Sequence, residues 1–218
     1  MDEAIHVLEK AVEVEKEKIE LYLVLTSMLE GKKDYEKALK VLQEGMDQDD
    51  QNVDLIFRRG VVLDKMGEKE KCLSEMRRLL EINPEHADAL NYIGYTYADQ
   101  GIRLDEAKIF IEKALKLKPE SGYIIDSLGW VFYQQGLYEE ALQHLEKAAS
   151  LVPKDPTIAE HLGDVYFKKK SYERSLDMYR KALSLNHPQA DKVKEKLEAV
   201  KRSMEKKESE ASDSIELK

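Results

Sequence analysis

The residues that could carry chemistry are few in type and badly spaced for it. The five histidines are His6, His86, His144, His161 and His187. No two stand three or four apart, and there is no His-Glu-x-x-His, so no helix face gathers metal ligands. Cys72 is alone and can form neither an internal disulfide nor a zinc site with neighbours. Ser203 and Lys206 match Ser-x-x-Lys without the companion motifs that make that pattern catalytic. No glycine-rich loop of the phosphate-cradling kind occurs. The 44 carboxylates offer many pairs and mark none above the others. The chain reads as a non-enzyme with no cofactor and no metal. Lys168-Lys169-Lys170 reads as a solvated charge run, and Cys72 as a small core residue.

Aromatic side chains give a second signal, and its chemistry is recognition. Of 16 aromatics, 13 fall between Tyr92 and Tyr179. Trp and Tyr are the usual anchors of protein interfaces. The charge balance narrows the partner. Lys+Arg is 35 and Asp+Glu is 44, a net charge of −9, which argues against nucleic acid. No apolar run reaches the roughly 18 residues of a membrane span. The first residues lack a basic stretch followed by an apolar one, so no targeting signal is read here. The compartment stays open: cytoplasmic by default, periplasmic or envelope-associated if the chain derives from a longer lipoprotein.

These residues must be positioned by something, and the punctuation shows what. Gly60, Gly94, Gly129 and Gly163 are spaced by 34, 35 and 34. Gly67, Gly101 and Gly136 follow at 34 and 35, and Pro84, Pro119, Pro153 and Pro188 at 35, 34 and 35. Three ladders with one period mean a solenoid of small units. Leu90, Ile93, Gly94 and Tyr97 mark one helix face; Ala107, Ile111 and Ala114 mark another. A glycine turn lies between them and a proline ends the unit. Each unit is a helix-turn-helix hairpin. A mid-helix glycine costs about 1 kcal/mol relative to alanine, so its recurrence points to a close crossing that excludes a side chain.

On these residues the chain resembles the tetratricopeptide repeat (TPR) family. Ile125, Leu128, Gly129, Phe132, Ala141, Leu145, Ala148 and Pro153 fill the signature in order. The unit from Ala159 follows it through Leu162, Gly163, Tyr166, Ser175, Tyr179 and Ala182. The units from Ile56 and Tyr22 keep less of it. The implied fold is all-α, a right-handed α-solenoid of TPR hairpins with a C-terminal capping helix. Boundaries follow: a TPR array over 1–188, made of a half repeat at 1–16 and repeats at about 19–50, 51–84, 85–119, 120–153 and 154–188. A capping helix covers 189–204 and a disordered charged tail 205–218.

The resemblance implies a concave groove lined by each unit's first helix, where TPR proteins bind peptides. Its candidates here are Asn91, Tyr92, Tyr95, Asp99, Tyr123, Asp126, Trp130, Tyr133, His161, Asp164 and Phe167. Trp130, Tyr95, Tyr92 and Tyr133 are the expected hot spots; packing of Tyr95 and Trp130 against an adjacent unit is the alternative. The groove stripes carry Asp and Glu without Lys or Arg, which suits a protein or peptide with apolar or aromatic anchors and some basic residues. Subtracting 34 from Ala38 lands on Ala4, so residues 1–16 read as a second helix without its first. Ile5, Leu8 and Val12 would then form an open N-terminal edge. The expected function is a non-enzymatic protein-interaction scaffold. The alternative is a self-associating module, a homo-oligomer through that edge, or the C-terminal part of a longer TPR adaptor. The stretches around Gly94 and Gly129 also resemble the C-terminal repeats of long bacterial TPR proteins, some of them envelope adaptor lipoproteins.

Overall fold

The computed structural model describes residues 1–216, and side chains as far as Lys207. Among the described residues there are twelve α-helices and no strand. The helices are α1 Asp2–Val14, α2 Ile19–Gly31, α3 Tyr35–Met46, α4 Val53–Lys65, α5 Lys69–Ile82 and α6 Ala87–Asp99. They continue as α7 Leu104–Leu117, α8 Gly122–Gln134, α9 Tyr138–Leu151, α10 Pro156–Lys168, α11 Tyr172–Ser184 and α12 Ala190–Glu216. The fold is all-α and built of successive helix-turn-helix hairpins, as the repeat register implies. The helices fall into two compact units, Met1–Ile93 and the part from Gly94 onward.

Local chemistry explains the boundaries. Asn52 caps α4 by accepting from the N–H groups of Asp54 and Leu55, and Asp155 caps α10 in the same way, with Pro156 in the first turn. Such caps are each worth about 1 kcal/mol. The inter-helix turns need a left-handed residue, and Gly67, Gly101 and Gly136 supply it at φ +81°, +66° and +78°. In the first and last hairpins the same register holds Lys33 and Lys170, at φ 61° and 58°.

Within each unit the hairpins close on small residues. A Cβ on Gly94 would lie 2.9 Å from the Ala107 carbonyl and 2.6 Å from Ile111. The carbonyl cannot move aside, so α6 crosses α7 there only as glycine. Ala38, Cys72, Ala107, Ala141 and Ser175, which open the second helices, are all fully buried. Burial pushes the Cys72 thiol up to about 11, so it sits as an inert small core residue.

Two sequence expectations change. The capping helix does not end at 204: α12 runs to Glu216. Its residues from 190 hold neither glycine nor proline and are rich in Lys, Glu and Ala, which favour helix. Residues 217 and 218 of the expected tail lie outside the described residues. At the other end, Ile5 and Val12 are each only 6 % exposed, buried as α1 packs on α2. Of the expected edge only Leu8 is partly open. Nearby, Asp2 pairs with Lys32 and Glu9 with Lys37 at the surface.

Candidate functional site

In the unit from Gly94 onward, the first helices α8 and α10 bring polar and aromatic candidates together. One helical turn separates Trp130 from Tyr133, so their rings stack, with centroids 4.6 Å apart and planes 7° apart. On the other face of Trp130 lies His161 of α10, at 4.1 Å and 14°. Tyr95 of α6 reaches the same imidazole at 6.3 Å. His161 is buried, and its Nδ1 sits 2.9 and 3.1 Å from the two carboxylate oxygens of Asp126. Burial opposes charge on this imidazole, but Asp126, with Asp164 and Glu160 behind it, outweighs burial and raises the pKa. A charged imidazole is also favoured by the indole face beneath it.

A second knot adjoins the first through α10. Asp164 accepts from the Tyr179 hydroxyl at 2.6 Å and from Lys196 Nζ at 2.6 Å. Lys196 also reaches Glu160 at 2.7 Å. Its burial works against the ammonium, and the two carboxylates win, raising its pKa. His187 accepts from the Gln189 N–H at Nδ1 and turns Nε2 to within 2.8 Å of Glu160, off the hydrogen-bond direction. Burial, then Asp164, pushes the Tyr179 phenol upward.

This geometry corrects the site expected from the sequence. Trp130 is only 8 % exposed, so it packs against the neighbouring first helix and is no exposed hot spot. Asp126, Glu160 and Asp164 are not a bare acidic lining, because His161, Lys196 and Tyr179 occupy their oxygens. Phe167 is half-buried against Tyr172 and packs on the α11–α12 core. Tyr123 is 58 % exposed and Asp99 is exposed. Tyr95 and Tyr133 are half-buried, and burial raises both phenols. In the first unit, Tyr92 is half-buried and its hydroxyl donates to Asp64 at 2.7 Å. Asn91 there buries its side-chain oxygen without a partner.

Sequence reading missed Tyr179, Lys196 and His187 as members of the site. Tyr179 occupies the register of Met76, Ile111 and Leu145, where a hydroxyl is the one visible anomaly. Lys196 was hidden among the charges of a solvent-facing cap. The run at 168–170 is also not uniform: Lys169 pairs with Glu139, whereas Lys168 and Lys170 are exposed.

The chemistry available is recognition of shape and hydrogen bonding. Asp126 and His161 have the arrangement of a carboxylate orienting a base. The hydrogen bonds of His161 among the described residues go to Asp126, and none to a hydroxyl or thiol that it could activate. Among the described residues no group of three or more His, Cys, Asp or Glu is disposed to hold a metal ion. One donor stands out: the Trp130 indole N–H is buried with no hydrogen-bond partner. No helix of the described residues is long and apolar enough to cross a membrane.

Paired helices on a 34-residue register, closed on small residues and presenting first helices side by side, define a helical-repeat protein of the hairpin class. The chain belongs to the tetratricopeptide repeat family: the family model for the tetratricopeptide repeat protein 21 C-terminal ARM domain matches residues 2–201. A TPR repeat-containing protein of Pseudomonas aeruginosa, PA4667, is 35 % identical over 142 residues. That match takes in 65 % of this chain, which spans about a quarter (24 %) of the relative's length. Among solved structures, a chain of the APC/C hetero-tetramer Cut9–Hcn1 superposes with a TM-score of 0.79 at 16 % identity, covering 91 % of this chain and 39 % of that one. YrrB, described as a TPR protein with an unusual peptide-binding site, gives 0.58 at 19 % identity, covering 85 % and 95 %. At these identities the structures show a shared fold.

Proposed function

We propose that the chain is a non-enzymatic protein-interaction scaffold that receives a peptide or partner segment along its first helices, at the face around Trp130. The observation that carries this reading is the aromatic cluster itself, in which the partly open rings of Tyr95 and Tyr133 lie beside the buried pair Trp130 and His161. Tyr95, Tyr133 and Tyr123 supply ring surface around that pair. The fitting ligand offers an aliphatic or aromatic side chain to the rings of Tyr95 and Tyr133. With Asp126, Glu160 and Asp164 engaged internally, a basic residue of the ligand would find its partner at Asp99. The peptide-binding description of YrrB, a fold neighbour, agrees with this use of the fold.

Selection of peptides from a displayed library on the intact chain tests the reading. Selected peptides should bind Tyr95→Ala and Tyr133→Ala at least about tenfold more weakly, a loss of about 1.4 kcal/mol. Tyr123→Ala, at an open position, keeps the fold and should weaken binding less. Peptides that bind all three variants as well as the parent chain would reject this face as the site.

A further inference from the structure

The repeat register gives an internal standard for which side chain stands where. Three residues after each mid-helix glycine the later repeats carry a ring: Tyr97, Phe132 and Tyr166. In α4 the same place holds Leu63. One residue before the glycine they carry Ile93, Leu128 and Leu162, none above 4 % exposed, where α4 has the half-buried Arg59. Arg59 turns its guanidinium to Gln43 Oε1 at 3.1 Å and to Glu75 Oε1 at 2.5 Å. With a leucine in place of a ring and the guanidinium held by these two groups, a cavity of about 330 Å³ lies among α3, α4 and α5. Leu39 and Leu63 are its apolar wall, and the exposed Gln43, Lys71 and Ser74 line it as well.

A later repeat shows what such a place holds. The Tyr166 ring of α10 has the Arg174 guanidinium 5.6 Å from its centroid, and its hydroxyl donates to Glu146 Oε1 at 2.9 Å. Arg174 stands one residue before Ser175, as Lys71 stands one before Cys72. Glu146 stands five residues after Ala141, as Gln43 stands five after Ala38. Leu142, which packs on the cluster around Tyr166, corresponds in the same way to Leu39. The cavity therefore keeps the cation, the acceptor and the apolar wall of a tyrosine site, without the phenol ring.

We propose that this cavity docks a tyrosine side chain of a partner protein. The ring lies on Leu39 and Leu63, with Lys71 and the planar guanidinium of Arg59 as its cations. The hydroxyl donates to Gln43 Oε1, a carbonyl oxygen with two lone pairs of which Arg59 uses one. Charge selects the same neutral occupant: Arg59 and Lys71 repel a basic side chain, and Glu75 repels an acidic one. Because exposed residues of α3 and α5 line the cavity, a side chain can enter while the segment that carries it stays outside. The site belongs to the unit Met1–Ile93 and does not rest on the reading of the face around Trp130.

The test titrates the intact, isotope-labelled chain with N-acetyl-L-tyrosinamide and follows the backbone amides of Leu39, Leu63 and Ser74 by NMR. Saturable shifts at these amides are expected, with a dissociation constant on the order of 1 mM. N-acetyl-L-phenylalaninamide, which lacks the donor, should bind at least about threefold more weakly. Lys71→Glu, at an exposed position that leaves the fold intact, should weaken binding of the tyrosinamide by about the same factor. Leu63→Tyr supplies the ring from within and should abolish the shifts; should it not fold, Lys71→Glu decides alone. Tyr133→Ala should leave the titration unchanged. Absence of saturable shifts overturns the proposal, as does binding undiminished by Lys71→Glu or by a folded Leu63→Tyr variant. So does binding of p-cresol without binding of the tyrosinamide, which would give the cavity to a free small molecule.

Discussion

The two ends of the array solve the same problem in opposite ways. At the C-terminal end α12 lays Val193, Leu197 and Val200 over Leu176, Tyr179 and Ala182, and turns Lys192, Lys194 and Glu195 outward. Lys196 then ties the helix to Asp164 and Glu160. At the N-terminal end α1 buries Ile5 and Val12 but leaves Ala4 exposed. A stacked array must put a polar face where stacking stops. The contrast teaches that α12 covers the last hairpin with an apolar stripe and a polar back, while α1 keeps the small-residue pattern of an interior position.

The sharpest way to break that contrast is to place one substitution at two equivalent positions. Ala38 and Ala4 share a register, but only Ala38 is fully buried. Ala38→Arg forces a long charged side chain into a closed hairpin and should cost more than about 4 kcal/mol, enough to unfold much of the protein. Ala4→Arg should shift stability by no more than about 0.5 kcal/mol. Urea titration of both variants checks this. Equal losses would mean that α1 is as closed as α3.

A smaller effect probes the finished end. Leu197→Ala removes a buried side chain from the α11–α12 core and should cost about 2–3 kcal/mol, because helices held at their ends have little room to collapse onto the gap. Leu8→Ala, at the half-buried position of α1, should cost less than half of that. Thermal melts of the pair decide whether closure by α12 carries the energy that its packing implies.

Much of this contrast was legible in the sequence and some was not. The glycine, alanine and proline ladders specify helix order and hairpin closure, because close backbone crossings admit only small residues and left-handed turns favour glycine. Subtracting one repeat from Ala38 led to the expectation of an open edge at Ile5, Leu8 and Val12, of which Ile5 and Val12 are buried. Which face of α1 stays open did not follow, because Ile5 and Val12 are as apolar as Leu8 and only packing separates them. The binding face misled for the same reason. Trp130, Asp126 and Asp164 have the residue types of an open groove, and their burial depends on His161, Tyr179 and Lys196 arriving from elsewhere in the chain.

The knot beside α12 adds a pH signature of its own. His161 has a raised pKa in the folded chain, and it faces Asp126, Asp164 and Glu160. The stability it contributes is fully present below the unfolded value of about 6.5 and is lost as pH rises through the folded value. Chemical denaturation from pH 6 upward should show stability falling by at most about 1.4 kcal/mol per pH unit in that window. His161→Gln should remove this component of the slope. A variant as steep as the parent would place the titration elsewhere.

The smallest expected effect concerns the turns of the two terminal hairpins. Interior turns use Gly67, Gly101 and Gly136, whereas Lys33 and Lys170 take the same left-handed conformation with a side chain attached. A non-glycine residue there is strained by roughly 1–2 kcal/mol, and glycine relieves the strain while adding about 0.5–1 kcal/mol of unfolded-state entropy. The balance favours Lys170→Gly and Lys33→Gly by several tenths of a kcal/mol up to about 1 kcal/mol. Lys170 is exposed, so no packing is lost, and the neighbouring Lys169–Glu139 pair is untouched. The two substitutions should gain similarly, because the strain is local to the turn whether or not the end beyond it is covered. A gain at Lys170 without one at Lys33 would show that the hairpin next to the open face tolerates its turn by loosening, and the openness of that end would then reach past α1 into the first complete repeat.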